Sequence, residues 1–296
     1  MQRFVALVVA PLALLLAACG ADGTNAGDAN TAADEPEPVV SEPDPGQLYE
    51  GNGMVCEDGT RGPLLWLGGI PMVLGPPQCG GIPLVNWNWQ AVAGEGIDGG
   101  TTWGSYNVVG TYDGETLAVT EAGPYEHDPD ASGTNPDFTS PCDEPEGDWV
   151  VPDPARNTQN DVDSAASYAS SQPDYVTSWV THLEPARLEF GPVIFNAVFT
   201  GDAERHEAEI RKLWNGPLCV VARGVPTARE LARIRKEVEA GLDDLGLEML
   251  WSAEPAVEPV IEIGVVADIG ERAQVALDAR YGPGVVRLIP ALRPVS

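Results

Sequence analysis

Positive charge is scarce in this 296-residue chain. Lysine and arginine together number 16 against 45 aspartates and glutamates, so the formal net charge is −29 at pH 7. A surface this acidic repels polyanions, and nucleic acid is therefore not expected as a partner. The charge favours solubility and contains no information about the fold.

A hydrophobic run long enough to span a bilayer is absent. The longest apolar stretch, Phe4–Ala18, falls short of the roughly 20 residues that a transmembrane helix needs. It follows Met1-Gln2-Arg3, a short and positively charged start. This combination predicts a secretory signal peptide over residues 1–18.

The apolar stretch ends in Leu16-Ala17-Ala18-Cys19-Gly20, and polar sequence follows at once. This pattern resembles the lipobox of bacterial lipoproteins. The resemblance implies that Cys19 receives lipid, including palmitate-type acyl chains, and becomes the mature N-terminus. Because two or more acyl chains anchor a protein stably, we expect it on the extracytoplasmic face of the cell membrane. An ordinary signal peptide cleaved near Ala18 is the alternative.

Large apolar side chains are almost absent from residues 19–47, which are rich in alanine, glycine, proline and acidic residues. Such a segment cannot bury enough apolar surface to offset its ordering entropy. We therefore predict a lipidated, disordered tether with an r.m.s. span on the order of 30 Å.

Cysteine is also scarce, and no Cys-x-x-Cys pair suggests a metal site. The four cysteines beyond Cys19 form an even set in an exported chain, which predicts two disulfides. Three connectivities are possible. We favour Cys56–Cys79 and Cys142–Cys219, chiefly because the first pair lies within one predicted module.

The order of predicted elements indicates an α+β protein. Residues 48–123 are predicted to form a small all-β module, a barrel or a sandwich, with a hairpin turn at Asp113-Gly114. Residues 124–188 are predicted to be a connector with short helices, one of which begins at Pro173. Residues 189–296 predict a ferredoxin-like βαββαβ module, which begins with a strand at Leu218. No internal repeat stands out.

Two short motifs, Pro76-Pro77-Gln78-Cys79-Gly80-Gly81 and Tyr281-Gly282-Pro283-Gly284-Val285-Val286, lie in the folded part. They resemble motifs shared by uncharacterised secreted proteins of actinobacteria. The resemblance implies an exported protein and indicates no particular chemistry.

Two candidate sites stand out. Trp87 and Trp89 are two residues apart and would share one face of a strand, where they could bind a sugar or a peptide. The alternative places both indoles in the core. The second candidate begins like a calcium loop and could use carboxylate and hydroxyl oxygens as ligands. Its residues are Asp128, Asp130, Ser132 and Asp137. A solvated turn is the alternative there.

Catalytic motifs are missing. His206-Glu207 begins like a zinc-protease helix, but Ile210 stands where the second histidine would be needed. We therefore expect His206 to be a structural core residue. No nucleophile elbow, Ser-x-x-Lys motif or phosphate-binding loop occurs.

We accordingly expect a non-catalytic surface lipoprotein that binds or scaffolds an unknown envelope protein or glycan, without a cofactor. An envelope hydrolase with paired carboxylates and a protease-regulating module are the alternatives.

Replacing Cys19 with serine removes the thiol that would carry the lipid. The Cys19→Ser protein is expected in the culture medium and the natural protein in the membrane fraction, as measured by immunoblotting of both fractions. Cys56→Ser, which leaves the lipobox intact, is the control. Membrane retention of Cys19→Ser would contradict the predicted anchor.

Overall fold

The computed structural model describes residues 46–68, 76–125, 136–151, 153, 157–184 and 191–295. Within these ranges strands and helices are mixed, which confirms the α+β class. The predicted signal peptide, Cys19 and nearly all of the predicted tether lie outside the described residues.

Strands of the N-terminal part close into a ring. In chain order they are β1 (Leu48–Glu57), β2 (Leu64–Trp66), β3 (Ile82–Val85), β4 (Gly96–Asp98), β5 (Thr101–Tyr112) and β6 (Leu117–Pro124). The ring runs β1-β2-β3-β6-β5, and β5 pairs back to β1, while β4 adds to the outer edge of β5. Only the β3–β6 pair of the ring is parallel. This connectivity resembles that of OB-type barrels.

Alternation along β1 sorts its side chains between two faces. Val55 belongs to the core inside the barrel, whereas Met54 and Cys56 belong to a cluster on the outer face. Gly53 pairs with Tyr106 of β5, and a Cβ at Gly53 would lie 2.2 Å from the carbonyl oxygen of Trp66. Glycine thus permits the close approach of β1 and β2.

The remaining elements form two units with the same order, helix-strand-strand-helix-strand. The first contains α1 (Gln159–Ser171), β7 (Tyr175–His182), β8 (Val193–Phe199), α2 (Ala203–Ile210) and β9 (Leu218–Ala222). The second contains α3 (Ala228–Gly241), β10 (Met249–Ala253), β11 (Ile261–Val265), α4 (Arg272–Tyr281) and β12 (Val286–Pro290). In each unit the first two strands are antiparallel and the third runs parallel to the second.

The two units also share local details. Their first helices begin with a capping box, at Thr158 in one unit and Thr227 in the other. Their second helices follow a residue in the left-handed region, Asp202 with φ 48° and Glu271 with φ 56°. The structure therefore contains a repeat that the sequence pattern did not reveal.

The ferredoxin-like module predicted for residues 189–296 is not formed. β9 pairs with β8, and β10, β11 and β12 form a separate three-stranded sheet. The reason is that α2 serves as the crossover that a parallel β8–β9 pair requires, so the partner of β9 precedes it in the chain. After β12, β13 (Arg293–Pro294) pairs with β1 at the edge of the barrel.

The helix predicted to begin at Pro173 is instead strand β7. Its sequence, Tyr-Val-Thr-Ser-Trp-Val-Thr-His, is dominated by β-branched and aromatic residues. Such residues favour a pleated surface over a helix. The helix of this region, α1, lies earlier, where Thr158 caps it.

The four cysteines form the two predicted pairs. Cys56–Cys79 spans 23 residues and lies in the outer cluster of the barrel. Cys142–Cys219 spans 77 residues and ties the predicted connector to β9.

Hydrogen bonds hold the same connector on the first unit. The indole Nε1 of Trp179 donates to the carbonyl oxygen of Thr139 at 3.2 Å, and the hydroxyl of Thr181 donates to the carbonyl oxygen of Phe138 at 2.5 Å. Both donors lie on β7, so the connector covers the sheet next to the Cys142–Cys219 disulfide.

Removing each disulfide should destabilise the protein by an amount that grows with the loop it closes. The chain-entropy relation gives about 4.5 kcal/mol for Cys142–Cys219 and about 3.4 kcal/mol for Cys56–Cys79. Urea unfolding of the two double-alanine variants measures both losses against the natural chain. A larger loss for Cys56–Cys79 would contradict loop length as the dominant factor.

Candidate functional site

Three aromatic side chains meet where the segment between β3 and β4 contacts β5. The ring centroids of Trp87 and Trp89 are 5.4 Å apart. The ring centroid of Tyr106 lies 5.1 Å from that of Trp87 and 6.2 Å from that of Trp89. All three pairs are edge-to-face, which is a favourable geometry for aromatic rings. We refer to Trp87, Trp89 and Tyr106 as the aromatic cluster.

A tight turn brings the two tryptophans together. Asn86 directly follows β3 and lies in the left-handed region, with φ 63°. The side chain of Asn88 then accepts the backbone N–H of Gln90 at 3.0 Å and caps a short 3-10 turn at Trp89–Ala91. The indoles are therefore neighbours in a turn, not on one face of a strand as the spacing predicted.

The aromatic cluster is part of the barrel interior. Tyr106 is 1% exposed, and the half-buried indoles of Trp87 and Trp89 pack against the same core. A Cβ at Gly104 would lie 2.5 Å from the Tyr106 hydroxyl oxygen, so glycine leaves room for the ring. A place in the core is the alternative that the sequence left open for Trp87 and Trp89, and both side chains do pack against the core.

The polar atoms of the aromatic cluster differ in their hydrogen bonding. The Nε1 of Trp89 donates to Glu57 Oε2 at 2.6 Å. The Nε1 of Trp87 and the hydroxyl oxygen of Tyr106 are shielded from solvent and have no hydrogen-bond partner among the described residues. Leaving such a group unpaired costs about 1–3 kcal/mol.

The Tyr106 hydroxyl keeps its proton at physiological pH. Burial, and after it the negative charge of Glu95, raises the pKa of Tyr106 above its usual value. The aromatic cluster therefore offers an indole N–H, which only donates, beside a neutral hydroxyl, which donates and accepts.

A pair of tyrosines on β5 allows the unpaired hydroxyl to be tested. Tyr106→Phe removes a hydroxyl without a partner, so stability should be unchanged or rise by up to about 1 kcal/mol. Tyr112→Phe removes a hydroxyl that donates to the Gly114 carbonyl oxygen at 2.7 Å, so stability should fall by about 1 kcal/mol. Chemical unfolding of both variants measures the difference. Equal losses would show that the Tyr106 hydroxyl is paired.

The predicted calcium loop receives no support from the described residues. Asp128, Asp130 and Ser132 lie outside them. Asp137 Oδ1 accepts the backbone N–H of Thr139 at 2.9 Å, and hydrogen bonds from Thr139 lower the pKa of this carboxyl. In the described ranges no group of three or more histidine, cysteine or acidic side chains could hold a metal ion.

His206 lies at the centre of a second polar cluster, for which the sequence gave no spacing signal. Its Nε2 lies 2.9 Å from Asp174 Oδ2, and its Nδ1 lies 3.1 Å from the Tyr168 hydroxyl. The ring is fully buried and stacks on Phe199 at 3.7 Å. Burial raises the pKa of Tyr168 above its usual value. The contacts join α1, α2 and β8, which is the structural role expected for His206.

No family model, curated protein or solved structure matches the chain. In the part of the chain that the structure describes, no helix is both long and apolar enough to cross a membrane.

Proposed function

We propose that this protein is a non-catalytic binding protein of the bacterial cell envelope, anchored by lipid on Cys19 at the extracytoplasmic face of the membrane. The lipobox-like sequence supports the anchor. The two disulfides support an oxidising compartment, because structural disulfides persist mainly in exported proteins.

The binding role rests on one observation: the buried indole N–H of Trp87 lies beside the buried hydroxyl of Tyr106, and neither has a hydrogen-bond partner in the part of the chain that the structure describes. Buried polar groups in native proteins nearly always have a partner. Ligand sites characteristically combine aromatic surface with a few such polar groups. A bound molecule with hydrogen-bonding groups would supply partners for the Trp87 N–H and the Tyr106 hydroxyl.

The barrel gives this proposal weaker support, as fold-level analogy. OB-type barrels bind oligonucleotides and oligosaccharides. A net charge of −29 disfavours the first of these two ligand classes. We therefore propose the barrel as the binding module and the lipidated tether as the element that presents it outside the membrane.

The test is retention of an envelope component without its turnover. Full-length protein immobilised on beads is incubated with fractionated envelope extract. Mass spectrometry identifies the bound material, and its mass is compared with that of the same component in the extract before incubation. We expect the beads to retain a component whose mass is unchanged. Beads with the Tyr106→Phe/Trp87→Phe double variant should retain less of this component, and beads with Tyr112→Phe should still retain it. Cleavage of the component would instead support the envelope hydrolase. Recovery of a protease alone would support the protease-regulating module.

A further inference from the structure

We infer that the aromatic cluster binds a neutral saccharide through a hydroxyl group of the saccharide. This inference rests on the proposed binding function and specifies its ligand class. The polar atoms of the aromatic cluster, the charge around them and the amides beside them each narrow the choice of ligand.

The polar atoms select the type of group that can enter. The Trp87 N–H requires an acceptor, and the Tyr106 hydroxyl requires a donor, an acceptor or both. An ammonium group has donors only, so it would leave the Trp87 N–H unpaired. A hydroxyl group both accepts, as the Trp87 N–H requires, and donates or accepts, as the Tyr106 hydroxyl allows.

Charge removes the anionic alternatives. A carboxylate or phosphate could accept from both atoms, but Glu57 contacts Trp89, and the charge of Glu95 acts on Tyr106. The chain as a whole has a net charge of −29. Anions are therefore repelled both locally and at long range, and a neutral hydroxyl remains.

The segment around the cluster alternates amide and indole side chains. Asn86, Asn88 and Gln90 are exposed, and the half-buried Trp87 and Trp89 lie between them. Indole rings provide apolar surface for the C–H groups of a sugar ring, and amides donate and accept hydrogen bonds with its other hydroxyls. The alternation thus matches the mixed surface of a saccharide.

Entry of the ligand requires a local opening. The Trp87 nitrogen and the Tyr106 oxygen are shielded from solvent, and the hydrogen bond from Trp89 to Glu57 holds the neighbouring indole in place. Movement of the Trp89 side chain away from Glu57 would expose the rings. The short 3-10 turn that contains Trp89 is an element small enough for such a movement.

Isothermal titration of the full-length protein in a detergent without a sugar headgroup tests the inference. The probes are neutral trisaccharides of glucose, galactose, mannose and arabinose, with trigalacturonic acid as the anionic comparison. We expect at least one neutral trisaccharide to bind and the anionic one not to bind. Tyr106→Phe and Trp87→Phe should each weaken that binding about tenfold, the effect of losing one hydrogen bond.

Matched variants control for loss of structure. Tyr112→Phe removes a hydroxyl bonded to Gly114, and Trp179→Phe removes an indole N–H bonded to Thr139, both away from the aromatic cluster. Both should keep the affinity of the natural chain, and thermal unfolding reports whether each variant is folded.

Three outcomes would overturn the inference. They are the absence of binding to every neutral trisaccharide, unchanged affinity in Tyr106→Phe and Trp87→Phe, and binding of the anionic sugar alone. If the bead experiment meanwhile recovers an envelope peptide through the aromatic cluster, the ligand class is wrong and the proposed function stands. If the beads recover nothing, the proposed function itself fails.

Discussion

The pairing of β1 with β5 is the constraint on which the barrel depends. It runs from Leu48 opposite Thr111 to Glu57 opposite Thr102 without a break, and β1 also pairs with β2 and β13. Side chains alternate between faces, so a shift of one residue would exchange the inner and outer sets. Val55 would leave the core and Cys56 would enter it. The outer disulfide, the inner aromatic rings and the docking of the C-terminal strand all require this one register.

The aromatic cluster follows from that register. Tyr106 lies opposite Gly53 on the inner side of β5, where its ring fills the barrel and its hydroxyl is removed from water. The turn after β3 then covers the ring with Trp87 and Trp89. The same packing that stabilises the barrel therefore leaves two hydrogen-bonding atoms without a partner within the described ranges. A binding role would use this feature of the core, and lipid on Cys19 would determine where it operates.

Local signals predicted local structure well. Asp113-Gly114 forms the hairpin between β5 and β6, because glycine adopts the positive φ that the turn requires, 100° at Gly114. In the structure, the capping box at Thr227 starts α3, which is also an effect of residues only three positions apart. The prediction of a helix that begins at Pro173 is wrong, because a proline suited to the start of a helix is equally suited to the turn before β7. The residues that follow it, rich in β-branched and aromatic side chains, favoured the strand.

The sequence by itself determined the acidic charge, the mixed fold class, the hairpin turn at Asp113-Gly114 and the strand that begins at Leu218, and it predicts the export signal and the lipid anchor. These properties depend on composition and on neighbours a few residues apart. Tertiary structure decided that β9 joins β8, that the two units repeat one topology, and that Tyr106 meets Trp87 and Trp89. It also decided which of the two indoles has a partner among the described residues, since Glu57 reaches the turn at Trp89 from β1. Pairing across such distances depends on which surfaces can be buried together, and no short stretch of sequence contains that information.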